Sequence, residues 1–158
     1  MELLKQMCKV HAPSGDEFSM TKFILQHIES NQRDWKVKPT LHYGKGFQDN
    51  IVMVFGKPTT AIFAHIDSIG FTVRYNNEII KIGSPNDSEG IILVGKDSHG
   101  LIEGRIIKKQ DKLFIDFHRD IDRGTSLTFK VKFRETIDFI QSSYLDNRLG
   151  VWNCLELA

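Results

Sequence analysis

A histidine and an aspartate two positions apart, His65 and Asp67, are the residues of this sequence best suited to chemistry. They follow an apolar run at residues 61–64 and precede Gly70. Because residues i and i+2 of a strand share a face, both side chains are expected at the carboxyl end of one strand, where open α/β sheets place ligands. A neutral imidazole suits a zinc-type metal, and a nearby carboxylate can fix its tautomer. On spacing alone, an ordinary surface or turn pair is the alternative interpretation.

Asp146 is the second candidate, in the segment SSYLDNRLG at residues 142–150. One interpretation is that its carboxylate caps the helix predicted to begin there and interacts with the helix dipole. The other is that it belongs to a site with paired metal ions, which need a bridging carboxylate and separate nitrogen or oxygen ligands on each ion. The second interpretation requires a partner elsewhere in the chain.

The elements that would position these residues begin with two helices. Apolar spacing predicts one helix over residues 2–10 and another over residues 16–31, with Ser14 or Asp16 as the cap of the second. Three short runs rich in β-branched and aromatic residues then predict strands at residues 37–43, 50–55 and 59–66. Parts of the last two runs are continuously apolar, which is typical of strands covered on both faces. We therefore predict an α/β sheet with helices on both faces.

The middle of the sequence has the pattern of an all-β unit. Short strands with turn residues between them are predicted at residues 71–75, 79–82, 91–94, 101–108, 112–117 and 126–133. Helical periodicity returns only after Asp146. The sequence thus predicts an α/β domain formed by residues 1–70 and 138–158, interrupted by an inserted all-β domain at residues 71–137.

Composition excludes several classes of function. The formal charge of +1 gives no field that would attract nucleic acid or a membrane surface. No apolar run approaches the length of a membrane-spanning helix, and the start of the chain lacks the pattern of a signal peptide. Cys8 and Cys154 are expected to be free thiols, so a cytoplasmic location is the simplest expectation.

Four polar residues in the middle of the sequence occur at every second position. An extended strand would place the four on one face: Asp116, His118, Asp120 and Asp122. A solvated strand face followed by a turn is the preferred interpretation, and a metal cluster is the alternative.

Four short motifs occur in an order that resembles the glutamyl (deblocking) aminopeptidases, some of which carry an endoglucanase label. They are APSGDE at residues 12–17, DNIV at residues 49–52, AHIDSIGF at residues 64–71 and LDNRLG at residues 145–150. Residues 113–116, 123–125 and 127–129 are similar to strands of the β-barrel inserted in that family. The resemblance covers essentially the whole chain, and it implies a zinc-peptidase-like α/β sheet interrupted by a small barrel.

The resemblance also implies roles for particular residues. His65 would be a ligand of one metal ion, Asp67 the carboxylate that orients it, and Asp146 the ligand that bridges two divalent ions, zinc or cobalt. The implied activity is removal of N-terminal residues from peptides, by a homo-oligomer.

The sequence departs from the family after Asp146. In the family a Glu-Glu pair follows, which supplies the general base and a further ligand, and an Asp and a His come later. Here Glu156 is the only acidic residue after Asp146. We therefore expect a truncated chain that does not catalyse by itself, because a site without its base cannot activate water. The alternative hypothesis is a non-catalytic binding or assembly module derived from the family.

Overall fold

The computed structural model describes residues 1–158 and contains three α-helices that share one core. The helices are α1 (Glu2–Lys9), α2 (Phe18–Asn31) and α3 (Leu145–Glu156). Their apolar faces bury a common cluster of side chains: Met7, Ala12, Met20, Ile24, Ile28, Val151 and Leu155. The two N-terminal helices agree with the prediction from apolar spacing. No helix is both long and apolar enough to cross a membrane.

The first two strands form a small antiparallel pair, which differs from the predicted sheet. They are β1 (Thr40–His42) and β2 (Val52–Val54). The strand predicted at residues 59–66 is not formed, and the described residues contain no parallel sheet with helices on both faces. A strand needs a neighbour for its backbone N–H and C=O groups, and residues 59–66 have no backbone hydrogen-bond partner. The prediction from apolar pattern was therefore wrong for this run.

The two ends of residues 59–66 differ in burial. Ala64 and Ile66 pack against the helical core, whereas Ile62 and Phe63 are 64% and 87% exposed. Only the end of this apolar run that lies next to His65 therefore packs against the helices.

Six antiparallel strands form a nearly closed barrel in the middle of the chain. They are β3 (Gly70–Val73), β4 (Ile79–Ile82), β5 (Ile92–Asp97), β6 (Gly100–Lys109), β7 (Lys112–Asp116) and β8 (Ser126–Phe129), in the order β4-β3-β8-β5-β6-β7. An isolated bridge between Glu78 and Phe114 joins the two edges of this sheet. Short strand-like runs separated by turn residues predicted an all-β unit here. In the structure this unit buries a core distinct from that of the helices: Phe71, Val73, Ile79, Leu93, Ile102, Ile106, Ile115, Ile121 and Leu127.

Left-handed turn residues connect two of the barrel hairpins. Asn76 and Asn77 between β3 and β4 have φ of 54° and 58°, and Gln110 and Asp111 between β6 and β7 have φ of 48° and 60°. Two successive residues with positive φ give a turn whose twist matches that of the flanking strands. Asn and Asp adopt the left-handed region more readily than most residues, so three of these four positions suit such turns.

The chain enters the barrel at a close contact. A side chain at Gly70 would place its Cβ 2.6 Å from the backbone oxygen of Leu127, so only glycine lets β3 approach β8 there. After β8, a short pair that the sequence did not predict, β9 (Arg134–Glu135) and β10 (Ile140–Gln141), leads back to α3.

Candidate metal centre

The segment that carries His65 and Asp67 is held by the turn that follows α1. The backbone N–H of Ser68 donates to the carbonyl of Ala12 at 2.9 Å, and the N–H of Ser14 donates to the carbonyl of Ser68 at 3.0 Å. The buried Ser68 hydroxyl also donates to the Ala12 carbonyl, at 3.1 Å. The segment thus has a fixed path although it is not part of a sheet.

Asp146 is presented by the irregular start of α3. Tyr144 has the left-handed φ of 68°, Asp146 itself is not helical, and the peptide bond between Asp146 and Asn147 is cis. Asn147 caps the regular part of the helix, because its side-chain oxygen accepts the backbone N–H of Gly150 at 3.1 Å. The carboxylate of Asp146 is therefore free to face away from the helix, toward the segment at residues 65–67.

Arg148 ties these two segments together. Its side chain is fully buried, and its Nη1 donates to the carbonyl oxygens of Ile66 and Asp67. Because Arg148 lies two residues after Asp146, this contact fixes the start of α3 against the backbone on either side of the Asp67 Cα. The Nε and Nη2 groups of Arg148 have no hydrogen-bond partner.

His65 lies between two carboxylates. Its Nδ1 is 2.9 Å from Oδ1 of Asp67, and its Nε2 is 3.0 Å from Oδ1 of Asp146. The side chains of His65 and Asp146 are 50% and 94% exposed, whereas that of Asp67 is 35% exposed. Asp67 thus orients the imidazole from the Nδ1 side, and the Nε2 side faces the exposed carboxylate of Asp146.

The protonation equilibria follow from this arrangement. Partial burial acts to lower the pKa of His65, but hydrogen bonds to Asp146 and Asp67 and the charges of both outweigh it, so the pKa of His65 lies above its ordinary value. The hydrogen bond from Ser14 and then that from His65 hold the pKa of Asp67 below its ordinary value, against the opposing effect of burial. Asp67 is therefore a carboxylate at neutral pH.

The donor set fits a divalent metal ion. Asp67 occupies Nδ1 of His65, which leaves Nε2 as the free ligand atom, and metal-bound histidines commonly show this carboxylate partner. Two ligand atoms at about 2.0–2.1 Å from a tetrahedral zinc lie roughly 3.3 Å apart, close to the observed separation of Nε2 and the Asp146 oxygen. No third His, Cys, Asp or Glu joins these two residues in a compact cluster. The described residues thus supply part of a metal site.

The structure brings together all three site residues that the sequence singled out. It does not place Asp146 as a helix cap, because its carboxylate lies against His65. It also corrects the caps proposed for α2, which has none: Ser14 donates to Asp67, and Asp16 accepts from Ser126. Ser14 and Arg148 were not predicted as neighbours of the site, although both lie inside the motifs that carry the resemblance.

A second group of potential metal ligands lies in the barrel, at Asp97, His99 and Asp122. The buried carboxylate of Asp97 already accepts two hydrogen bonds from the guanidinium of Arg119, at 2.6 and 2.9 Å, and others from the backbone N–H groups of His99 and Asp122. The Arg119 hydrogen bonds hold the pKa of Asp97 well below its ordinary value. Because the lone pairs of Asp97 are already engaged, this group forms a structural ion-pair network.

Solved structures with the same fold include TET peptidases. The chain superposes on the TET aminopeptidase from a marine sediment Thaumarchaeota archaeon with a TM-score of 0.79 at 16% identity, over 99% of this chain and 51% of the other. It superposes on the Pyrococcus horikoshii TET1 peptidase, which assembles into a tetrahedron or a large octahedral shell, with a TM-score of 0.73 at 19% identity, over 98% and 54%. It superposes on a dodecameric PhTET1 structure with a TM-score of 0.78 at 20% identity, over 98% of this chain and 53% of the other.

These comparisons establish the fold. No protein-family model and no curated protein sequence matches the chain. The chain spans about half the length of the proteins that it superposes on. The resemblance seen in the sequence motifs is thereby confirmed at the level of the fold.

Proposed function

We propose that this chain provides the first part of a dinuclear metal-dependent aminopeptidase, in which His65 and Asp146 ligate metal and Asp67 orients His65. The observation that carries the proposal is the position of the His65 imidazole, with Asp67 on Nδ1 and Asp146 beside Nε2. The fold shared with TET aminopeptidases supports the same conclusion. Peptides are the proposed substrates, and zinc or cobalt the proposed ions.

Each residue has a distinct task in this proposal. Asp67 accepts the Nδ1 proton of His65 and so keeps Nε2 available as a ligand atom. Asp146 would ligate both ions, because one of its oxygens lies beside Nε2 of His65 and its side chain is exposed. When bound, the ions would act as Lewis acids toward the scissile peptide carbonyl.

Two protein ligands are fewer than a zinc site needs. We therefore propose that this chain alone binds metal weakly and does not hydrolyse peptides, and that the remaining ligands and the general base come from residues outside these 158. The separate cores of the helices and the barrel support the division into residues 1–70 with 138–158 and residues 71–137. Assembly into a homo-oligomer is proposed by analogy with the TET shells.

The test is a titration of the chain with Zn²⁺ and Co²⁺. Long-range ¹H–¹⁵N NMR spectra of the imidazoles report weak binding, and hydrolysis of aminoacyl-nitroanilides reports activity. We expect the His65 Nε2 resonance to shift on binding, His65→Gln to abolish site binding, and His42→Gln, an exposed control on β1, to leave it unchanged. A His65 resonance that ignores both metals would reject the metal-site proposal.

The absence of a third ligand beside His65 and Asp146 also favours a second candidate, a non-catalytic binding or assembly module. The two candidates differ in what the complete gene product does. Hydrolysis that depends on metal and on His65 supports the aminopeptidase, and an inert complete product without metal supports the module.

A further inference from the structure

Ser14 and His65 hold the carboxylate of Asp67 from its two ends. The Ser14 hydroxyl donates to Oδ2 of Asp67 at 2.5 Å, and Nδ1 of His65 lies 2.9 Å from Oδ1. Each carboxylate oxygen therefore has its own partner. The second oxygen contact of the Ser14 hydroxyl, to the Ser68 carbonyl at 3.5 Å, is much longer, so its single proton belongs to Asp67.

The turn at residues 12–15 delivers the Ser14 hydroxyl to this place. Pro13 is buried and forms a parallel bridge with Ser68, and Gly15 has a φ of 90°, which few other residues adopt. The backbone N–H of Ser14 donates to Ser68. The side chain of Ser14 is exposed and has no role in the core. Its fixed position thus comes from the backbone on both sides.

We propose that Ser14 is a positioning residue that acts on the metal through Asp67 and His65, an inference that rests on the proposed function. The torsion that rotates a carboxylate about its Cβ–Cγ bond is soft, with broad energy wells. A hydrogen bond on Oδ2 removes this freedom and aims Oδ1 at Nδ1 of His65. The imidazole then presents Nε2 in one direction, toward Asp146.

Ser68 offers a matched control for this role. Its hydroxyl donates to the Ala12 carbonyl at 3.1 Å and so supports the same turn, without contacting the Asp67 carboxylate. A merely structural role of Ser14 in the turn would be shared by Ser68. A role through the carboxylate belongs to Ser14 alone.

The experiment compares the Zn²⁺ affinity of the full chain and its variants by NMR titration. We expect Ser14→Ala to weaken Zn²⁺ binding by about threefold to tenfold, less than the roughly 10- to 100-fold typical of a direct partner of a ligand. Ser14→Thr keeps the hydroxyl and should rescue the affinity, and Ser68→Ala should bind Zn²⁺ like the unsubstituted chain. Thermal unfolding of each variant confirms that it is folded.

A double variant tests whether the effect passes through Asp67. In the Asp67→Ala background, Ser14→Ala should cause no further loss of affinity, because the hydroxyl then has no carboxylate to hold. Equal affinities of Ser14→Ala and the unsubstituted chain, or a full Ser14→Ala effect in the Asp67→Ala background, would overturn the inference and leave the proposed function standing. If the unsubstituted chain shows no His65-dependent binding, both fail together.

Discussion

The Nε2 atom of His65 lies 3.0 Å from Oδ1 of Asp146, although the two residues are 81 positions apart in the chain. The whole six-stranded barrel separates them in sequence, and the chain returns from it to complete their contact. The site therefore depends on how the barrel's two ends join the helical part, at Gly70 on one side and at Tyr144 on the other.

Asp146→Asn should weaken Zn²⁺ binding by roughly tenfold or more, because the amide loses the charge of the proposed bridging ligand. Titration of the His65 ring resonances measures the change. Asp138→Asn is the control, since Asp138 is exposed in the hairpin between β9 and β10 and has the same chemistry. Equal losses in both variants would show that the effect is one of net charge.

Arg148→Met should weaken Zn²⁺ binding with little change in the stability of the protein. The substitution removes a buried charge with two unpaired N–H groups, and this relief offsets the lost hydrogen bonds to Ile66 and Asp67. We expect the free energy of unfolding to change by no more than about 1 kcal/mol. Zn²⁺ affinity should fall, because the start of α3 is no longer tied to the segment that carries His65.

Chemical denaturation measures the stability of the Arg148→Met variant, and a metal titration of the same sample measures its Zn²⁺ affinity. Arg33→Met, on an exposed turn after α2, is the matched control and should change neither quantity. A large loss of stability with unchanged affinity would contradict the prediction.

Tyr144→Phe should lower the free energy of unfolding by about 1–2 kcal/mol. The phenol oxygen accepts the backbone N–H of Phe129 at 2.5 Å, and the two rings stack with centroids 5.9 Å apart. Burial is the main reason that the pKa of Tyr144 rises to about 12. The substitution keeps the stacking and leaves the N–H of Phe129 unpaired. Urea unfolding measures the loss, with Tyr43→Phe as the exposed control.

The sequence predicted where the barrel strands lie but not which strands pair, because some partners are distant in the chain, as Phe71 and Leu127 are. The barrel strands alternate or run apolar between turn residues, and β4 was predicted with the bounds that the structure shows, Ile79–Ile82. Residues 59–66 have an equally good pattern, but a strand depends on a partner that pattern cannot supply. Whether a segment becomes a strand depends on a neighbouring strand that pairs with its backbone, and the sequence of one segment does not show whether that neighbour exists.

In the candidate site too, local sequence patterns predicted some contacts and not others. The spacing of His65 and Asp67 suggested one pair, but only the resemblance to a family brought Asp146 to it, because no local pattern encodes a contact across 81 positions. Ser14 or Asp16 was predicted as the cap of α2, since serine or aspartate before a helix usually accepts from the backbone N–H groups. In the structure its hydroxyl has a stronger acceptor in the Asp67 carboxylate. The choice between two acceptors requires the tertiary structure.

Asp97→Asn should lower the melting temperature and leave Zn²⁺ binding at His65 unchanged. The buried Asp97 carboxylate accepts both Nη groups of Arg119, which makes it a structural partner. An amide has only one accepting oxygen, so the partly exposed guanidinium of Arg119 loses one of its two hydrogen bonds to the buried side chain at position 97. Differential scanning calorimetry and the metal titration together test this, with Asp116→Asn on the exposed end of β7 as control. Loss of a bound metal on Asp97→Asn would instead identify a metal site in the barrel.

His11 should make the stability of the protein fall in mild acid. Its Nε2 lies 2.8 Å from the Ser126 hydroxyl, which itself donates to Asp16, so the ring donates from Nε2. Its Nδ1 then accepts from Thr128 at 3.1 Å, and this bond exists only while the ring is neutral. Burial lowers the pKa of His11 below 6.5, and the charge of Asp16 opposes this only in part.

The sign of the pH effect follows from the direction of that shift. As the pH falls through 6.5, the unfolded chain takes up a proton on His11 before the folded chain does, so the free energy of unfolding decreases until the lower, folded-state pKa is passed. Urea unfolding at several pH values between about 8 and 5 should show this decrease in the unsubstituted chain. His11→Gln should flatten the decrease, since glutamine does not titrate, whereas His42→Gln on the exposed β1 should leave it unchanged. An unaltered slope in His11→Gln would show that other groups govern the acid sensitivity and that the bond to Thr128 does not select the neutral ring.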